Sequence, residues 1–166
     1  TPEARLLDAL NGLTDTGPVK RGKFLELNDV TIQHQDGHIE KLGVSYINRA
    51  TVILAATLGD ADAGRGLGAR PGMKTYPYIE KTLVAVNLET QNYLIVGHMH
   101  RIGLQKVWYV LEDAPAFLPL TNVVITHRFT GKRELMPFIA VNKEHIITVH
   151  EEEPPPRESL LKSTNK

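Results

Sequence analysis

Hydrophobic and polar positions along the chain switch from helical spacing to a period of two soon after the start. Leu6, Leu7, Leu10 and Leu13 recur at helical intervals, and Pro2-Glu3 suits a first turn, so a short amphipathic helix is predicted over 2–13. Thr14 to Pro18 then supplies turn chemistry. From Phe24 the period becomes two. Val30-Thr31-Ile32-Gln33-His34-Gln35 alternates strictly, Asp36-Gly37 signals a hairpin, and a return strand runs from Ile39 to Ile47 with Leu42, Val44 and Tyr46 on one face. Thr51 to Ala56 reads as a short buried strand. Gly59 to Pro77, with glycines at 59, 64, 66, 68 and 72, is too glycine-rich for a regular element and longer than most connections. It is expected to be a binding loop or an arm ordered by a partner, after which Thr82 to Asn87 resumes β structure.

The second half repeats this character. Leu94 to Ile102 and Leu104 to Leu111 are β-rich and separated by Gly103, and Glu112 to Pro119 is predicted as a proline-punctuated loop. Val123 to Phe129, a Thr130-Gly131-Lys132 turn, Leu135 to Asn142 and a final Ile146-Ile147-Thr148-Val149 strand complete it. Residues 83–89 (Leu-Val-Ala-Val-Asn-Leu-Glu) match residues 138–144 (Phe-Ile-Ala-Val-Asn-Lys-Glu), and a second apolar run follows each. The match implies a duplicated unit in which the glycine-rich insertion replaces a turn of the first copy. Four segments are therefore expected: a helix and turn at 1–20, a first β unit at 21–92 with the insertion at 59–77, a second at 93–150, and a flexible tail at 151–166.

Composition narrows the classes more than it selects one. With 166 residues the chain can hold one ordinary domain or two very small ones. Nineteen basic and nineteen acidic residues cancel, which removes the footprint of a dedicated nucleic-acid binder. The absence of cysteine excludes disulfides, thiolate metal sites and cysteine nucleophiles. No apolar run is long enough to span a bilayer, and no signal peptide is visible. A cytoplasmic location is the expectation. The sequence starts at Thr1 rather than Met, so an upstream anchor is not excluded.

Short, closely spaced strands with tight turns and little helix indicate a mainly β protein, a small barrel or sandwich. Phe138 to Asn142, a short turn and then Ile146-Ile147 resemble the closing strand pair of Sm-like barrels. Phe117-Leu118-Pro119-Leu120-Thr121-Asn122-Val123 followed by Phe138 to Ile146 is similar to an uncharacterised bacterial small β-barrel family, over roughly residues 94–150. The resemblance implies two tandem Sm-like or SH3-like barrels behind a short N-terminal helix. It also implies a homo-oligomer, because Sm-like barrels often close into rings by pairing strand edges. Where RNA-binding Sm proteins usually carry Arg-Gly before the asparagine, this chain has Ala140-Val141, which argues against RNA.

Candidate chemistry is sparse. His98 and His100 share one face of a predicted strand, and with His34 or His38 they could form an open three-nitrogen metal site. Asp15-Thr16-Gly17 matches an aspartic-protease tripeptide but follows a helix and runs into Pro18, so it is read as a turn. Gly66 to Thr75 resembles a phosphate loop, yet Met73 separates Gly72 from Lys74. Arg65, Arg70 and Lys74, with Tyr76, make that arm a basic contact surface for an acidic partner. Trp108 is expected at an interface, and none of the three serines lies in a nucleophile elbow. The expected function is a noncatalytic scaffold or accessory subunit without a cofactor, oligomeric and bound to a protein partner, conceivably a redox enzyme complex. The alternatives are a histidine metalloenzyme and an Sm-like RNA-binding module.

Overall fold

The computed structural model describes residues 6–14, 17–18, 22–58, 81–113 and 115–152. A short helix α1 (Leu6–Asn11) and a minimal strand pair β1 (Leu13–Thr14) and β2 (Gly17–Pro18) lead into a long hairpin of β3 (Phe24–Gln33) and β4 (Ile39–Asn48). A 3-10 turn (Arg49–Thr51) and a short strand β5 (Leu54–Ala56) follow. The second part comprises β6 (Lys81–Glu89), β7 (Tyr93–Ile102), α2 (Val107–Asp113), β8 (Phe117–His127) and β9 (Arg133–Asn142). A second 3-10 turn (Lys143–His145) and β10 (Thr148–Glu151) end it.

The chain is mainly β, as the alternation predicts, but among the described residues the strands do not close into the two expected barrels. The strands form an open antiparallel sheet in the order β10-β6-β7-β8-β9-β5 and a separate β3–β4 ribbon, and neither closes. One strand of the first part, β5, is built into the sheet of the second. The 81–89 strand pairs with both β7 and β10, so it belongs to that same sheet.

Alternation along β6 to β9 places Val86, Leu88, Ile95, Met99, Leu120, Val123 and Ile139 in one continuous core. A smaller cluster lies on the other face of the sheet, where Leu10 of α1 meets Phe117 and Ala140. Leu25, Val52 and Ala55 from the first part pack against that cluster, so α1 helps fasten the two parts together. So short a helix depends on that docking. Strand β7 bulges between Val96 and His98, where a Cβ on Gly97 would lie 3.0 Å from the Val123 side chain.

Three local expectations require correction. Residues 107–113 are a helix, not a strand, which turns Trp108 and Tyr109 outward together. Pro119 lies inside β8 rather than in a loop, opposite Ala140. Its missing N–H points away from β9, and no residue of β7 is paired with it there. The glycine-rich insertion does not replace a hairpin turn, because the first hairpin turns at His34–His38 and the insertion joins β5 to β6.

A longer match between two segments runs in a different register from the 83–89 one. Phe-Leu-Glu-Leu-Asn-Asp-Val-Thr-Ile-Gln-His (24–34) corresponds to Phe-Leu-Pro-Leu-Thr-Asn-Val-Val-Ile-Thr-His (117–127), with six of eleven residues identical. Several backbone features recur at corresponding positions. Among the described residues Asp29 and Asn122 are the two non-glycine residues with positive φ, 51° and 49°, and each interrupts its hairpin ladder at the same step. Gly37 and Gly131 take positive φ at the two hairpin tips. Asn48 and Asn142 both precede a 3-10 turn and cap it with the side-chain oxygen. The equivalent of Asn142 is thus Asn48, whereas Asn87 sits in mid-strand in β6.

Left-handed backbone is tolerated by Asn and Asp and disfavoured for a β-branched residue. Asn122 is solvent-exposed, so its replacement tests the backbone alone. Asn122→Val is expected to lower stability by about 1–2 kcal/mol in urea unfolding, and Asn122→Gly to leave it nearly unchanged.

Candidate assembly interface

The most elaborate polar arrangement among the described residues is the seam where the two copies of the repeat meet. Strand β5 of the first copy pairs antiparallel with β9 of the second, Leu54 opposite Val141, Ala55 opposite Ala140 and Ala56 opposite Ile139. The ladder is extended by the Asn142 N–H, which donates to the Ile53 carbonyl at 2.9 Å. Asn142 is buried, and both ends of its amide are used. Its oxygen accepts from the Glu144 N–H at 3.1 Å, capping its own turn. Its nitrogen donates across the seam to the Val52 carbonyl at 3.0 Å, with the Arg49 and Ala50 carbonyls 3.4 and 3.5 Å away. Those carbonyls belong to the first 3-10 turn and its end, so one copy's asparagine satisfies the other copy's turn.

Neighbouring groups repeat the theme. His145 Nε2 lies 2.7 Å from the Ala50 carbonyl, which can only accept, so this nitrogen carries the proton. Lys143 Nζ donates to the Leu111 carbonyl at 2.7 Å near the end of α2, where a cation is favoured. Asn11 pairs with both backbone groups of Phe117, at 2.9 and 3.3 Å, and ties α1 to the start of β8. An open cavity of about 720 Å³ lies along the seam, bordered by Lys23, Asn48, Arg49, Asp113, Phe117 and Glu144. It carries two cations and two carboxylates, so its field for an ion is not one-signed, and its lining has no serine hydroxyl or cysteine thiol.

The residues singled out for chemistry are not brought together. His98 and His100 share the face of β7 opposite Met99, and the His100 ring lies 3.5 Å from the Thr121 hydroxyl. His34 stands at the tip of the other β ribbon, beside His38 and 3.6 Å from Glu40. Among the described residues no group of three or more His, Asp or Glu side chains is placed to hold a metal. Trp108 is 60% exposed on α2 and meets the edge of Tyr109 with ring centroids 4.9 Å apart. Arg65, Arg70, Lys74 and Tyr76 lie outside the described residues. No helix among the described residues is long and apolar enough to cross a membrane.

The correspondence of Asn48 with Asn142 is what reading by sequence missed, although the Phe-Leu-x-Leu phrase at 24 and 117 marks its register. No family model, curated protein or solved structure matches the chain.

The two asparagines are chemically equal and differently employed, which gives a direct comparison. Asn142→Ala strips a cap and removes the Val52 carbonyl's side-chain partner across the seam, and is expected to cost about 1–3 kcal/mol in urea unfolding. Asn48→Ala removes an exposed cap and is expected to cost about 0.5–1 kcal/mol, measured at concentrations where the chain is monomeric.

Proposed function

We propose that this chain is a noncatalytic scaffold or accessory subunit that builds into a larger protein assembly through its strand edges. The observation that carries this reading is the number of unfinished edges. Among the described residues, β3, β4, β5 and β10 each have one side without a paired strand. Such edges are normally covered or blunted, because unpaired N–H and C=O groups recruit other chains. Exposed apolar side chains accompany them, including Val44 and Tyr46 on β4 and Ile147 beside β10. Trp108 and Tyr109 add an aromatic surface of the kind enriched at interfaces. The polar side chains of the seam, in contrast, are engaged with backbone carbonyls and hold structure rather than substrate.

The test is purification of the tagged protein from its native host at endogenous level. It is expected to elute in a complex with at least one stoichiometric protein component. A chain that elutes alone as a monomer under mild conditions would remove the scaffold reading.

A further inference from the structure

Apart from the minimal β1–β2 pair, the four open edges among the described residues are not equivalent, and the repeat separates them. In the second copy, β8 is flanked by β7, and β10 is flanked by β6. The first copy has no counterpart of the β6–β7 hairpin among the described residues, so the outer sides of β3 and β5 are where that hairpin would sit. The other two edges have a different history. Strand β9 is joined to β5 across the seam, and β4 is the repeat of β9 just as β10 is the repeat of β5. The described residues therefore contain one finished β9–β5 joint and, on two other strand edges, the unjoined halves of a second.

The hydrogen-bond parity of these halves matches. In β9 the Asn142 N–H points outward to Ile53. In β4 the Arg49 N–H bonds inward to Lys23, as Lys143 does to Ala116, so the backbones of Asn48, Tyr46 and Val44 face outward in the same phase. In β10 the Glu152 N–H bonds inward to Ala85, which turns the backbones of Val149 and Glu151 outward, in phase with Ala55 of β5. Exposure shows what is missing. Phe138 and Ala140 of β9 are 4% and 0% exposed, whereas their counterparts Val44 and Tyr46 are 54% and 64% exposed. Ile53 is half-buried, whereas Ile147 is 61% exposed. A groove of about 510 Å³, lined by Leu111, Ile146, Ile147 and Val149, runs by the second turn and β10.

We infer that the missing occupant is a second copy of this chain, joined head to tail, with β4 of one copy paired antiparallel to β10 of the next. The repeat sets the register: Ile47 opposite Thr148, Tyr46 opposite Val149 and Ser45 opposite His150. It also sets the lock. The Asn48 amide nitrogen, which makes no hydrogen bond among the described residues, donates to the carbonyls of the next copy's second 3-10 turn as Asn142 does to the first. One plug and one socket per chain make the contact heterologous, so copies form a ring or an open filament rather than a two-fold dimer. This inference names the partner within the scaffold reading and rests on it.

The natural chain has no cysteine, so engineered pairs report the register directly. Ser45 and His150 would form a non-hydrogen-bonded pair, whose Cα separation falls in the range a disulfide spans. Under mild oxidation, full-length Ser45→Cys/His150→Cys is expected to give covalent multimers. Ile47→Cys/Thr148→Cys is a second in-register pair should the first variant misfold. Each single-cysteine variant stops at a two-chain product, and the shifted pair Ser45→Cys/Glu152→Cys links far less. Asn48→Ala is expected to weaken self-association by at least ~10-fold in light scattering with an unchanged circular dichroism spectrum. A wild-type chain that stays monomeric to about 100 µM, or equal cross-linking of shifted and in-register pairs, would overturn the joint. If that monomer still co-purifies with a different stoichiometric protein, the second-copy inference falls and the scaffold reading stands. Self-assembly in this register with no other protein component would support the inference while removing the larger assembly.

Discussion

The buried amide of Asn142 is the contact on which the two halves of the described structure depend. It sits where β9 ends, where the second 3-10 turn begins and where the first copy's turn arrives. Few side chains could serve all three. An aspartate would cap the turn but bring a buried charge and no donor for the carbonyls across the seam; a leucine would fill the space and leave those carbonyls unsatisfied. Asparagine offers an acceptor on one side and two donors on the other. The β5–β9 pairing is only three residues deep, so much of its definition comes from this amide and from the Asn142–Ile53 backbone bond.

Around that contact the first copy is incomplete and the second nearly complete. The β3–β4 ribbon has no sheet partner among the described residues, and isolated two-stranded ribbons are marginal in water. Its order is borrowed. Leu25 and Val52 reach the cluster of Leu10, Phe117 and Ala140, and β5 is stitched into the second copy's sheet. Stability is therefore expected to be graded, highest in β6 to β9, where Val86, Leu120 and Ile139 are fully buried, and lowest toward the tip of the β3–β4 ribbon. Little of the ribbon is committed to a core of its own.

Strand periodicity was legible because burial on one face writes itself directly into alternation, as in Val30 to Gln33 and along β7. The hairpin at Asp36-Gly37 was legible because only certain residues tolerate its positive φ. The helix at 107–113 was not: Val-Trp-Tyr-Val is β-prone by composition, and its docking, through buried Val107 and partly buried Val110 and Leu111, overrides that preference. Barrel closure was over-read, since a strand's sequence shows that it will pair but not where the sheet stops. The duplication was seen in the wrong register because Ala-Val-Asn is a short identity that β strands produce often. The informative signal was longer and weaker per position, a Phe-Leu-x-Leu-x-Asx-Val-x-Ile-x-His phrase whose Asx holds a left-handed backbone in both copies.

That Asx is one of several backbone features the two copies share while their surfaces diverge. Backbone features that depend on a few residue types, the left-handed Asx, the tip glycine and the capping asparagine, are present in both. Positions that meet the other copy or solvent are free to differ, so Ala140 faces Tyr46 in the alignment and Glu26 faces Pro119. The conserved geometry keeps the edge of β4 in the same hydrogen-bonding phase as the edge of β9, whatever side chains it carries. A strand edge held in phase by three separate backbone devices is a constraint on pairing. Its exposed Val44 and Tyr46 make burial favourable once a strand of matching phase arrives.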